Sequence, residues 1–211
     1  GVPDNNDIVI IDGDTVSLDG ISNVGSITIS SGTLNLSGSL LRIWRNNATL
    51  NNNGTINGAG TIRTITNHII SGSGTYNNIS FTHDYKLTID ADLTLTNHEV
   101  SSNSSLEISS AKTITISGTF KNKSLHGFVE NKGTLVINDP SNFFLTPTAS
   151  YKSSADRFKS SEGNIELPSG GALPEAFDGG YKNLTLSGET TSNFSFSVNG
   201  DWSNSGTFTS D

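Results

Sequence analysis

Short runs in which apolar and polar residues alternate recur along the whole chain. Their apolar members are Ile, Leu, Val and Phe, and Thr, Ser and Asn fill most of the positions between them. Alternation with a period of two predicts β-strands with one buried face, and no stretch has the 3.6-residue apolar period of an amphipathic helix. The sequence therefore predicts an all-β protein. The clearest runs are 8–11, 15–18, 27–29, 34–36, 87–89, 93–95, 106–108, 114–116, 135–137, 184–186 and 194–198.

Two stretches repeat almost the same pattern. Residues 26–40 read SITISSGTLNLSGSL and residues 105–120 read SLEISSAKTITISGTF, while residues 86–97, KLTIDADLTLTN, form a looser third copy. Units that repeat in this way stack, because a single unit cannot bury its apolar face alone. The repeat predicts a β-solenoid, namely a parallel β-helix with turns of about 20 residues. Right-handedness is expected because it is the usual hand of parallel crossovers.

A β-sandwich is the alternative fold. Asn53-Gly54, Asn57-Gly58 and Asn199-Gly200 are dipeptides typical of the two-residue turns that join antiparallel strands. Direct repetition of a two-strand unit favours the β-helix instead.

The distribution of Asp and Pro suggests four regions. We expect capping strands in residues 1–24, β-helix coils in 25–138, an irregular excursion packed on the rod in 139–179, and further coils in 180–211. Five Asp residues fall in the first region, and four of the five prolines fall in the excursion, where they would interrupt strand pairing. Residues 202–211 have the pattern of a coil in progress, so we expect a longer natural protein or one that stacks on a neighbour.

Composition limits the classes of partner. The 211 residues include 12 Lys and Arg and 20 Asp and Glu, which gives a net charge of −8. This acidic balance is a poor match to nucleic acid, and no apolar run approaches the roughly 18 residues needed for membrane insertion. The chain has no Cys, so disulfides, Cys-based zinc sites and thiol catalysis are excluded.

Several motifs resemble repetitive regions of large secreted proteins of Bacteroidota. They are VPDNNDIVIIDGDTVSLDG near the start, NKGTLVIND in the middle, and GGYKNLTLSG and VNGDWSNSGTF near the end. The resemblance implies an extracellular or cell-surface location and an adhesin-like role. It supplies no catalytic residues.

Carbohydrate binding is the leading hypothesis for a site. Alternation in residues 41–45 points Leu41 and Ile43 inward and Arg42 and Trp44 outward, where an indole could stack on a sugar ring beside a hydrogen-bonding guanidinium. His83 and Tyr85 form a lesser candidate. A neighbouring loop that covers Trp44 is the alternative.

Two metal sites can also be imagined. Asp4, Asp7, Asp12 and Asp14 offer the oxygen ligands that calcium prefers, although Asp is equally common in turns. The other group consists of histidines at a spacing of 15, which could form a ladder of metal ligands but which we interpret as surface corner residues: His68, His83 and His98.

The sequence thus favours a structural or adhesive rod over an enzyme. Outside the N-terminal Asp group the acids are dispersed, and the nucleophile-elbow and phosphate-loop patterns are absent. We expect no catalysis and no cofactor beyond structural calcium. The expected partners are glycans, other surface proteins or a second copy bound end to end. The alternative is a carbohydrate-binding protein, or a polysaccharide lyase or hydrolase built on the same fold.

Overall fold

A computed structural model describes residues 3–100, 104–118, 120–122, 129–139, 158–174 and 180–210 of the chain. The described residues form β-strands joined by short corners, without helices. Every strand pairing among them is parallel, and the strands stack as a β-solenoid of about nine turns. The β-helix prediction is therefore confirmed, and the sandwich alternative is wrong.

Most turns contain three strands, which lie on three sides of the solenoid. Side 1 contains β1 (Ile8–Ile11), β4 (Ser26–Ile29), β7 (Ala48–Asn52), β10 (His68–Ser71), β13 (Lys86–Asp90), β16 (Ser105–Ile108), β19 (Val129–Asn131), the first residues of β21 (Phe158–Leu167), those of β23 (Gly180–Leu186), and β25 (Ser197–Val198). Side 2 contains β2 (Thr15–Ser17), β5 (Thr33–Asn35), β8 (Thr55–Asn57) and β11 (Thr75–Tyr76), then β14 (Leu93–Leu95), β17 (Thr113–Ile116), β20 (Thr134–Ile137), the last residues of β21 and β23, and β26 (Trp202–Asn204). Side 3 contains β3 (Ile21–Val24), β6 (Leu40–Ile43), β9 (Thr61–Thr64), β12 (Ser80–His83), β15 (Asn97–Val100) and β18 (Phe120–Asn122), followed by β22 (Gly171–Ala172), β24 (Thr190–Ser192) and β27 (Phe208–Ser210).

Residues one turn apart lie side by side. Ile8 pairs with Ser26 and His68 pairs with Leu87, 18 and 19 residues apart in sequence. The predicted turn length is therefore correct. Neighbouring parallel strands lie about 4.8 Å apart, so the solenoid lengthens by that amount per turn.

The core is one column of apolar side chains inside the coil, mostly aliphatic with some aromatic rings. Alternate residues of each strand point inward, as the pattern predicts, and stack on their counterparts in the next turn. Removing such a side chain from water contributes about 1.5–3 kcal/mol to folding. One row of side 1, at most 2% exposed, is Ile27, Leu50, Ile70, Ile89 and Ile108.

The first and third predicted regions both contribute strands to the stack. Residues 8–24 form the first turn, with β1 in register with β4. The stretch 139–179 contains β21, whose Phe158 is fully buried and whose residues pair with β19, β20 and β23. Residues 140–157 and 175–179 lie outside the described residues.

Candidate functional site

Trp44 occupies the corner between sides 3 and 1, directly after β6. Leu41 and Ile43 are buried and Arg42 is half-buried, as alternation predicts. The backbone N–H of Trp44 donates to the carbonyl oxygen of Val24 at 2.9 Å. Its indole Nε1 donates to Asn23 Oδ1 at 3.1 Å. These two bonds fix the half-buried ring to the preceding turn.

A recess of about 610 Å³ opens at this corner, lined by Asn5, Asn6, Trp44, Arg45 and Asn46. It lies within the size range of small-molecule sites. An indole provides a flat apolar surface, and the amides and guanidinium around it can donate and accept hydrogen bonds. The chemistry of this lining suits a polyhydroxylated ligand.

The predicted Arg42 is not among the residues that line this recess. It lies in register between Asn23 and Arg63 on side 3, and its Nε is buried without a hydrogen-bond partner. Arg45 supplies the guanidinium instead. Sequence reasoning missed Arg45 because strict alternation was continued past the end of β6, where the chain turns the corner. It also missed Asn5 and Asn6, which only the stacking of turns brings close to Trp44.

The second predicted sugar contact is divided between surface and core. Tyr85 is 56% exposed, whereas His83 is fully buried. His83 therefore presents no surface to a sugar. Asp84, between them, accepts hydrogen bonds from Arg63 Nε at 3.0 Å and from Nη2 at 2.8 Å. Tyr85 remains an isolated exposed ring, two turns from Trp44 along the same corner.

The four N-terminal carboxylates are exposed, and no three of them form a group that could hold a metal ion. Asp7 Oδ2 accepts from the backbone N–H of Asp4 at 2.8 Å, within one turn. Asp12 Oδ1 accepts from Ser31 Oγ in the next coil at 2.9 Å, and Asp14 contributes its backbone oxygen to Thr33. Across the described parts of the chain, no group of three or more His, Cys, Asp and Glu is arranged to hold a metal ion.

The three histidines are inside the coil, so the interpretation as surface corners is wrong. His68, His83 and His98 are 2%, 0% and 1% exposed. Alternation contained the signal: His83 follows Phe81 by two positions and His98 precedes Val100 by two, and both neighbours are buried. Burial lowers the pKa of His98 to about 3 and lowers the pKa of His83 well below its usual value.

Side 2 presents a polar, uncharged surface in its first four turns. Its outward residues follow the strand register in two rows, and Thr75 Oγ1 donates to Thr55 Oγ1 at 3.2 Å. The rows are Thr15, Thr33, Thr55 and Thr75, and beside them Ser17, Asn35 and Asn57.

Comparison with protein-family models, with curated proteins and with solved structures found no match. The described residues contain no helix that is long and apolar enough to cross a membrane.

Proposed function

We propose that this chain is a structural and adhesive rod of a secreted or cell-surface protein. The observation that supports this is the single apolar column shared by successive turns, because such a stack keeps its shape without a separate scaffold. The uncharged Thr and Asn rows of side 2 fit a scaffold better than a catalytic groove, which would need clustered carboxylates.

Adhesion can be measured with beads that carry the chain. Under flow, we expect these beads to be retained on surfaces coated with polysaccharide or with extracellular protein, and beads that carry an inert globular protein to be washed off. Equal retention of the two kinds of bead on every surface would reject the adhesive role.

A carbohydrate-binding function is the second candidate, and the recess at Trp44 favours it. The indole of Trp44 donates a hydrogen bond to Asn23, and other groups that can form hydrogen bonds line the recess beside it. We expect the chain to bind glycans, and Trp44→Ala to weaken that binding at least tenfold, about 1.4 kcal/mol, because the stacking surface is lost.

A glycan array followed by titration of the strongest ligand would measure this effect. Tyr85→Ala is the control, because it removes a more exposed aromatic ring two turns away. No signal with the wild-type chain, or the same loss with both variants, would contradict a site at Trp44.

A further inference from the structure

Three buried imidazoles interrupt the apolar column within two consecutive turns. His68 begins β10 on side 1, His83 ends β12, and His98 lies in β15 on side 3. The ring centroids of His83 and His98 are 5.2 Å apart. Neither nitrogen of His98 has a hydrogen-bond partner among the described residues, and Nε2 of His68 is also buried without one. The backbone of Ser105 offers His83 a hydrogen bond, whose effect on the pKa of that ring is smaller than the effect of burial. The middle of the core therefore holds titratable groups that the structural role does not require.

His98 occupies a position that phenylalanine fills in the adjacent turns. The strand register places Phe81 on one side of it and Phe120 on the other. Its ring is stacked on Phe120, with centroids 5.3 Å apart and an interplanar angle of 14°. An aromatic hydrocarbon thus satisfies the packing at this level, and histidine adds only the capacity to accept a proton.

The groups that face the pair could not balance a positive charge. The inward residues of the strands packed around it are apolar or neutral, and the buried residues of the described segments include no Asp, Glu, Lys or Arg. From β9, β11, β15, β18, β13 and β16 these are Ile62, Thr64, Tyr76, Val100, Phe120, Leu87, Ile89, Leu106 and Ile108.

Charged side chains of these strands lie on the outer surface. Arg63 pairs with Asp84 there, and Lys86 pairs with Glu107 at 2.6 Å. Glu99 is also on the outward side of its strand.

The surroundings of His68 likewise disfavour a charge. Burial lowers the pKa of His68, and the contact of its Nδ1 with the carbonyl oxygen of Thr66, at 2.8 Å, offsets this only in part. Lys86, which lines the same small recess, is itself cationic. The remaining histidine, His126, lies outside the described residues.

We infer that the section of the solenoid from β9 to β16 opens in mild acid, because His83 and His98 accept protons only when the core around them is exposed to water. The direction in which stability changes with pH follows from the burial of the two rings. Both rings hold a proton more weakly when folded than when unfolded, so folding is fully favourable above about pH 6.5 and weakens as the pH falls, towards about 3 for His98. Each ring makes opening about tenfold more favourable per pH unit in that range.

The opening is local because each turn of a solenoid contacts only its neighbours. The turns before β7 contain no histidine. In mild acid the rod would loosen in its middle while its first turns stay paired.

Amide hydrogen exchange measured by mass spectrometry tests this inference, with rates corrected for the intrinsic effect of pH. Between pH 7.5 and 5 we expect protection of residues 61–100 to fall at least 100-fold, and protection of residues 26–43 to fall much less. His98→Phe combined with His83→Leu should remove most of that difference, since neither new side chain titrates. Glu166→Gln, which removes an outward carboxylate far from the histidines, should leave it unchanged.

A uniform loss of protection along the chain, or an unchanged loss in the double variant, would overturn the inference. If the double variant does not fold at pH 7.5, the wild-type chain gives the answer by NMR titration of its imidazole nitrogens. Rings of His83 and His98 that titrate near pH 6.5 while the chain stays folded would also overturn it.

Discussion

Asn52 stands at a corner where a polar side chain is fully buried. Its Oδ1 accepts from the backbone N–H of Gly54 at 3.1 Å, and its Nδ2 donates to the carbonyl oxygen of Thr75 in the next turn at 3.2 Å. One amide thus closes its own corner and joins two turns. Asn131 repeats the second contact with the carbonyl oxygen of Asn164 at 2.9 Å.

Asn52→Ala should lower the free energy of unfolding by about 2 kcal/mol, because a buried N–H and a buried carbonyl oxygen lose their partner. Asn51→Ala is the matched control. That side chain points outward and accepts a hydrogen bond from Ser71 Oγ at 3.4 Å, so we expect a change below about 0.5 kcal/mol. Urea titration followed by circular dichroism measures both values, and equal effects would show that the buried amide has no special role.

At this scale the sequence predicts which residues point inward but not what the inward polar ones do. Alternation correctly places Leu41 and Ile43 in the core and Trp44 at the surface. It also places His98 in line with Val100, yet its polarity suggested a surface position. The residue type of His98 predicts a surface position, whereas the alternation of its strand predicts a buried one. The alternation prevails, since a side chain in a strand cannot change faces without shifting the register.

The corners between strands determine how closely successive turns can approach. Gly72 lies between β10 and β11 with a φ of +102°, and a Cβ there would meet the backbone of Asn52 in the turn before. Gly38, between β5 and β6, also has a positive φ, of +81°, but a Cβ there would meet nothing within 4 Å. Comparing substitutions at the two glycines therefore separates the cost of backbone strain from the cost of crowding against the neighbouring turn.

We therefore expect Gly38→Ala to cost about 1 kcal/mol, through the left-handed conformation alone, and Gly72→Ala to cost at least twice as much. Thermal unfolding of the two variants side by side provides the comparison. Similar losses would mean that the neighbouring turn moves aside without cost.

Asn-Gly dipeptides explain why turn chemistry could not decide the fold. Asn53-Gly54 separates β7 from β8, and in Asn57-Gly58 the asparagine ends β8 and the glycine begins the corner before β9. These pairs suit the hairpins of a sandwich, but here they make the corners between strands that belong to different sheets. The repeat in residues 26–40 and 105–120 was the better guide, because its four strands occupy matching places in two turns.

The whole molecule combines one regular core with surfaces that differ from side to side. Side 2 presents Thr and Asn, while side 1 contains the ion pair of Lys86 with Glu107, whose carboxyl pKa is lowered mainly by that lysine. The sequence predicted the solenoid because the core repeats. It could not predict the recess at Trp44, because Asn5 and Asn46 come together only through stacking, about two turns apart in the chain.

The small sequence separation between paired strands also allows the turns to form one after another. Pairings such as Ile8 with Ser26 join residues separated by about one tenth of the chain length, a contact order typical of fast-folding helical proteins and low for a β-sheet protein. Each strand needs only one neighbouring turn as a template. A turn formed anywhere in the chain can therefore receive the next one as soon as that is complete, without waiting for distant parts of the chain.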